Sequence, residues 1–284
     1  MKRLAGLAAL LTAAGGALLL GCSSNECSGG SVCGAGNAVE RSARSEPKPT
    51  PSASRAAEGP LLVTYKWPTA KVCDGATSVA MARGGPSLAR FDATEQDFRS
   101  KVATRGGAGG TWGGGHLYLD LSAKGSASYT VDELHLTTRV PKRIDPPSWV
   151  ALTQGGCGEL KDRVFALDLD TPELVDHGVS EGEPDPSEPP VRTDALGSGF
   201  TVSAKDPAIV RVDASACRGD YEWSLRIDYS YDGRPLHKNI GPFRSYSTLS
   251  ADTAMYVPDP VTGEPGEPIT AETRPVGCPA GGTR

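Results

Sequence analysis

The eleven residues Tyr221–Tyr231, YEWSLRIDYSY, alternate without interruption. Tyr221, Trp223, Leu225, Ile227, Tyr229 and Tyr231 fall on one side, and Glu222, Ser224, Arg226, Asp228 and Ser230 on the other. Period two over this length requires a strand with one dry and one wet face. Asp232-Gly233 follows, a strong two-residue hairpin signal, so a return strand is expected near Pro235–Ile240.

Other segments repeat the pattern. Leu61, Val63, Tyr65 and Trp67 share one face of a first strand, as do Leu117, Leu119 and Leu121 in HLYLDLS. The same reading puts Leu134, Leu136 and Val140 inward, and likewise Phe165, Leu167 and Leu169. Ser198–Val202 and Ala208–Asp213 add short strands. Helical periodicity is confined to Ala93–Ala103, with Asp92 or Thr94 as its cap, and the glycine run that follows ends it. Many short strands with Gly/Pro turns predict an all-β chain: a single antiparallel β-sandwich of immunoglobulin-like architecture over residues 61–256. Pro172–Arg192, with SEGEPDPSEPP, reads as a solvated loop, and 257–284 as an irregular tail. Residues 22–60 hold almost no large apolar side chain and read as a disordered tether reaching roughly 35 Å.

The amino-terminal segment sets the compartment. Lys2 and Arg3 precede an apolar run from Leu4 to Leu20, the layout of a secretory signal over residues 1–21. Kept as a helix, the run would be about 27 Å long, barely the bilayer core, and Gly15 and Gly16 weaken it further. Leu19-Leu20-Gly21-Cys22 resembles the lipobox of bacterial lipoproteins. That resemblance implies thioether lipidation of Cys22, cleavage before it and acylation of the new terminus. The expected first partner is therefore a lipid bilayer, on the extracytoplasmic face of the cell membrane, held by acyl chains at about 0.8 kcal/mol per buried methylene.

Removing residues 1–21 takes away Lys2 and Arg3 and leaves 27 basic against 34 acidic side chains, a net charge near −7. Bulk charge thus argues against nucleic acid as a partner. Six cysteines remain besides Cys22, an even number that suggests disulfides in an exported protein, with 15 pairings that sequence cannot settle. Cys157 and Cys217 flank the most strongly patterned strands and are paired in this reading, with Cys73–Cys278 as the second bridge. Cys27 and Cys33 either close a small loop or stay as thiols.

A wider resemblance enters with Gly155-Gly156-Cys157-Gly158 and Arg163-Val-Phe165-Ala-Leu-Asp168-Leu-Asp170. Phe200-Thr-Val-Ser203, Asp206-Pro207, Cys217…Glu222-Trp223-Ser-Leu225 and Gly241-Pro242-Phe243-Arg244 follow in order. These blocks resemble an extracytoplasmic β domain of uncharacterised actinobacterial proteins, over about residues 61–248, and imply its fold but no chemistry. The family tends to carry Cys-Asp-Cys before the Trp; here Arg218-Gly219-Asp220-Tyr221 follows Cys217, so one thiol is missing.

Each candidate site has a plainer account. Asp168, Asp170, Glu173, Glu181, Glu183, Asp185 and Glu188 offer calcium ligands, but their spacing is not that of an EF-hand and a solvated acidic loop explains them better. Arg218-Gly219-Asp220 spells an integrin tripeptide that a Gly-Asp turn entering a strand also accounts for. RGGAGGTWGGGH at 105–116 lacks the Gly-Lys-Ser/Thr of a phosphate loop and reads as a mobile connection, with Trp112 packed on the core or exposed as a sugar platform. Neither Gly-x-Ser-x-Gly nor His-Glu-x-x-His is present, and Ser45-x-x-Lys48 lies in the tether. His116, His135, His177 and His237 fall on wet faces or in loops, and no Cys or His spacing suits zinc.

The expectation is thus a lipid-anchored surface protein whose sandwich is a non-catalytic binding module for an envelope protein or glycan, without cofactor or metal. The alternative is an envelope hydrolase with a site built from scattered residues. A solute-binding lipoprotein is disfavoured, because those usually have two α/β lobes.

Overall fold

The computed structural model describes residues 57–58, 60–67, 77–95, 97–141, 145–153, 161–183, 191–259, 261–269 and 278. All belong to one unit of the chain, Ala53–Arg284. The signal, Cys22, Cys27, Cys33, Cys73, Cys157, Asp185 and Glu188 lie outside the described residues.

In chain order the strands are β1 Ala57–Glu58, β2 Leu62–Lys66, β3 Val79–Ala82, β4 Gly109–Trp112, β5 Gly114–Ser122, β6 Ser128–Pro141 and β7 Pro147–Ala151. They continue as β8 Arg163–Asp168, β9 Glu173–Val179, β10 Thr201–Ser203, β11 Ala208–Ser215, β12 Tyr221–Tyr231, β13 Arg234–Tyr246 and β14 Ala254–Tyr256. One sheet runs β10-β6-β12-β13-β4-β3-β7-β14, with β1 added on β13; the other runs β2-β5-β11-β8-β9. The two sheets pack face to face as the all-β sandwich that the alternation predicts.

Aromatic contacts between the sheets show how the core closes. The Trp67 ring, just after β2, meets Trp223 of β12 edge-on at 6.3 Å between centroids, and Tyr65 meets Phe243 at 5.1 Å. Tyr229 reaches across with its hydroxyl to accept the Leu61 N–H at 3.2 Å. Between these rings lie Leu117, Leu119, Leu121, Val210, Val212 and Phe165 from the smaller sheet, against Val131, Leu225 and Ile227 from the larger. Each large side chain buried this way contributes on the order of 1.5–3 kcal/mol.

Both sheets are mixed, where the sequence reading expects antiparallel pairing alone. β11 runs parallel to β8, and β1 and β4 each run parallel to β13, as β14 does to β7. Between β8 and β11 the chain makes β9 and then β10 in the other sheet. It therefore returns in its original direction. Period-two alternation reports which face is dry and carries no record of strand direction.

Three local expectations change. Val140 faces outward and is 41% exposed. The β6·β12 register slips between Ser224 and Leu225, which pair with Thr138 and Leu136, so Thr137 is an extra residue that inverts the alternation beyond it. From Gly109 onward the glycine stretch is mostly strand. A Cβ at Gly109 would stand 1.7 Å from the Val102 carbonyl oxygen, so glycine lets α1, Phe98–Ala103, lie tight on β4. Glu173–Val179 forms β9 at a sheet edge inside the expected acidic loop; its exposed charges hide a strand from hydropathy but suit an edge.

The expected helix shrinks to the six residues of α1, and Asp92 instead closes a turn on the Thr94 N–H at 2.8 Å.

Candidate functional site

With Leu117, Leu119 and Leu121 turned into the core, the intervening residues of β5 point to the outer face of the five-stranded sheet. Cross-strand register sets Tyr118 between Lys66 and Arg211, and His116 beside Asp213. A chain of polar contacts results. The Tyr118 hydroxyl donates to Asp162 Oδ2 at 2.9 Å, and an Arg211 terminal nitrogen donates to the same oxygen at 3.1 Å. Arg211 Nε stands 2.9 Å from Asp213 Oδ1, an ion pair whose geometry falls short of a hydrogen bond. His116 Nδ1 bonds to that same Asp213 oxygen.

Burial works against the charge of Arg211, but Asp213, Tyr118 and Asp162 outweigh it and hold its pKa above the ordinary guanidinium value. The rim is more open. Lys66 Nζ lies 5.7 Å from the Tyr118 ring centroid, and Thr64 donates to Asp120 Oδ2 at 3.3 Å. His116 and Asp213 remain about a quarter exposed.

Thr77 links this face to a buried cation. Its hydroxyl accepts the His116 backbone N–H at 3.0 Å, while its carbonyl accepts Arg99 and the Thr153 hydroxyl. Arg99 is 5% exposed and lies 5.8 Å over the Phe98 ring. Burial lowers its pKa to about 10.

A second polar field covers the wet face of the larger sheet. His135 Nε2 lies 3.0 Å from Asp228 Oδ2 and 3.3 Å from Glu133 Oε2, and Arg226 Nε is 2.9 Å from Asp228 Oδ1. His237 is the cross-strand neighbour of Asp228, and His177 sits apart on β9. Among the described residues, no group of three His, Cys, Asp or Glu side chains could hold a metal ion.

The cysteine pairing is corrected. Cys217 bonds to Cys278, with S–S 2.02 Å and Cα–Cα 5.4 Å, so neither the Cys157–Cys217 nor the Cys73–Cys278 bridge forms. The physical reason is proximity of the tail: Ile269 N–H bonds to Met255 O at 2.8 Å on β14, so the tail is held against the domain at that point. Of the acids read as calcium ligands, Asp168 and Asp170 are engaged locally. Asp170 accepts the Cys217 and Arg218 N–H groups at 2.9 and 3.1 Å and the Tyr221 hydroxyl at 2.7 Å. Asp168 accepts the Asp170 N–H at 2.8 Å and the Thr171 hydroxyl at 2.6 Å.

The Arg218-Gly219-Asp220 tripeptide is likewise closed to a receptor. Asp220 is 5% exposed and accepts the Ser247 and Thr248 N–H groups at 2.8 and 3.1 Å. Trp112 is buried, as the packing alternative expects.

Sequence reasoning names His116 but misses Tyr118, Asp162, Arg211 and Asp213. A signal was present: Arg211 and Asp213 interrupt the otherwise apolar strand AIVRVDA, where charges need a partner.

Comparison of the chain with family models, with curated proteins and with solved structures finds no match.

Proposed function

We propose that this chain is a lipid-anchored envelope protein, tied through acylated Cys22, whose sandwich is a non-catalytic binding module for an envelope protein or glycan. The outer face of the five-stranded sheet is its recognition surface. The observation that carries this reading is the continuous network His116–Asp213–Arg211–Asp162–Tyr118, whose buried members Tyr118, Arg211 and Asp162 hold the partly exposed His116 and Asp213 in place. This buried support pre-sets the polar groups of the rim, which lowers the ordering cost of binding a polar partner. Lys66, Asp120, His116 and Asp213 along its rim offer both charge signs to that partner.

The second reading, an envelope hydrolase, has one specific observation behind it, the His116–Asp213 pair, because a carboxylate-oriented histidine is half of a general-base arrangement. The Asp213 oxygen that receives His116 also faces Arg211, which draws off the negative charge a base would use. That favours recognition over proton transfer.

The test pulls partners from intact cells with residues 57–284, a bait that keeps Cys278 and its bridge. The parent should capture a partner that Asp120→Lys and His116→Ala lose, while captures equal across all three refute the surface. Hydrolysis of envelope peptides or glycans by the parent, abolished in His116→Ala, would establish the second reading instead. For the anchor, Cys22→Ala should leave an uncut signal and abolish acyl labelling of the mature chain. An altered protein processed and labelled like the parent would sink the lipobox assignment.

A further inference from the structure

We propose that the open edge of β2 takes an extended segment of a partner protein as an added strand, apolar opposite Leu62 and basic opposite Thr64. That occupant is a protein rather than a glycan, and its site rests on the reading above of the outer face of the five-stranded sheet as the recognition surface.

The larger sheet ends at β10 and β14, the smaller at β2 and β9. Three of these edges are short or blunted. β10 and β14 have three residues each, and the tail bridges β14 through Ile269. β9 is longer, but its pairing with β8 slips between Val164 and Phe165, Gly178 stands at φ +77°, and Asp176 and His177 are exposed along it. Bulges and charges of this kind keep an edge from pairing.

β2 has no such slip. Its five residues pair with β5 in unbroken register, from Leu62 opposite Ser122 to Lys66 opposite Tyr118, and β5 is its one partner strand among the described residues. Both ends are pinned. The Leu61 N–H donates to the Tyr229 hydroxyl at 3.2 Å, and the Trp67 N–H to Ser100 Oγ at 2.7 Å. The strand is thus set before anything binds, and its outward N–H and C=O groups form a template about 17 Å long.

The side chains of the edge narrow the occupant. Leu62 and Tyr65 are 37% and 38% exposed, one on each side of the strand, and Tyr65 packs its other flank edge-on against Phe243. Apolar neighbours on an added strand would cover both. Thr64 is small and opens the way to Asp120 on β5, whose Oδ2 takes the Thr64 hydroxyl at 3.3 Å and whose Oδ1 has no partner among the described residues. An added strand would stand about 10 Å from β5, a span that the long stem of an arginine or lysine crosses over Thr64. A sugar has less to hold: Tyr118, on the same face, is buried and offers no ring to stack on.

The experiment uses the full chain, purified in detergent, with a fluorescent peptide, Ser-Ile-Val-Arg-Val-Ile-Ser, blocked at both ends. Its symmetric pattern sets Arg opposite Thr64 in either strand direction. Binding should raise the anisotropy of the peptide and slow amide exchange within residues 61–67, with 173–179 unchanged. Glu in place of the peptide's Arg, or Asp120→Lys in the chain, should each weaken binding about tenfold. Alternate N–H groups of a strand point to opposite edges, so N-methylation of both Val, or of both Ile and the Arg, should abolish binding in one case and spare it in the other. An unbound peptide, or two methylated forms that bind alike, overturns the proposal. Protection of 61–67 that rises with the chain's own concentration overturns it in favour of a second copy, and protection by soluble envelope glycan in favour of a sugar. If the edge fails while His116→Ala still loses the partner captured from cells, the recognition surface stands and only the strand addition falls.

Discussion

The Asp170 carboxylate holds the backbone N–H of Cys217 at 2.9 Å, which ties the end of β8 to the loop that carries the disulfide. The same side chain accepts from Arg218 N–H and the Tyr221 hydroxyl and is only 6% exposed, so its loss leaves three donors without an acceptor. Asp170→Ala is therefore expected to lower unfolding free energy by about 3 kcal/mol. Urea denaturation monitored by tryptophan fluorescence measures it, and a loss below about 1 kcal/mol would contradict the assigned role.

Trp223 is a second sensitive point. Its ring packs against Phe243 at 4.8 Å and Trp67 at 6.3 Å, and its Nε1 donates to Ser245 Oγ at 3.1 Å. Trp223→Ala should cost about 3–5 kcal/mol, read as a shift in the urea midpoint. Trp223→Phe should recover part of that by keeping the apolar volume.

On the outer face of the five-stranded sheet, the order of single and double substitutions matters more than any one value. Asp162→Ala removes the acceptor shared by Tyr118 and Arg211 and leaves a buried guanidinium short of a partner, an expected loss of about 3 kcal/mol. Arg211→Met combined with Asp162→Leu discards both charges and should be the more stable of the two proteins. If the double change proves worse than Asp162→Ala alone, the ion pair adds net stability and this account of it is wrong.

Acid should weaken the turn at Asp168. Burial alone would raise its pKa, but the Thr171 hydroxyl, the Asp170 and Thr171 N–H groups and the Arg218 charge outweigh it and hold it below the ordinary value. A group depressed in the fold stabilises above its unfolded pKa, about 3.9, and that contribution is lost as pH falls through the folded value. The parent and Asp168→Asn should thus differ in urea midpoint at pH 6 and converge as pH falls past the depressed folded value. A constant difference across that window would show that Asp168 ionisation is not coupled to folding.

Much of the fold was legible in the residues, and the exceptions have physical causes. β5, β8, β11 and β12 declare themselves by alternation because one face of each is dry. β3 escapes because Val79, Ala80 and Met81 are buried on both faces and leave no alternation to read. β4 escapes because close approach of its neighbours selects glycine, the residue that usually signals a turn. Of the polar network on the outer face, only His116 stood out, since Asp162 joins Tyr118 and Arg211 through contacts between segments far apart in the chain. The Cys217–Cys278 bond was hidden for a similar reason: it depends on the path of the tail, and the tail has no periodicity.

That bond also imposes an order of events. Cys278 lies beyond β14, so a polypeptide emerging from its amino end presents Cys217 to solvent well before the matching sulfur arrives. Until then Cys217 is open to mispairing, and the chain must be shielded, or its loop already seated on Asp170, for the correct clasp to close. Assembly of this domain is thus finished by its tail, and a carboxy-terminal truncation that spares every strand would still leave it unlatched.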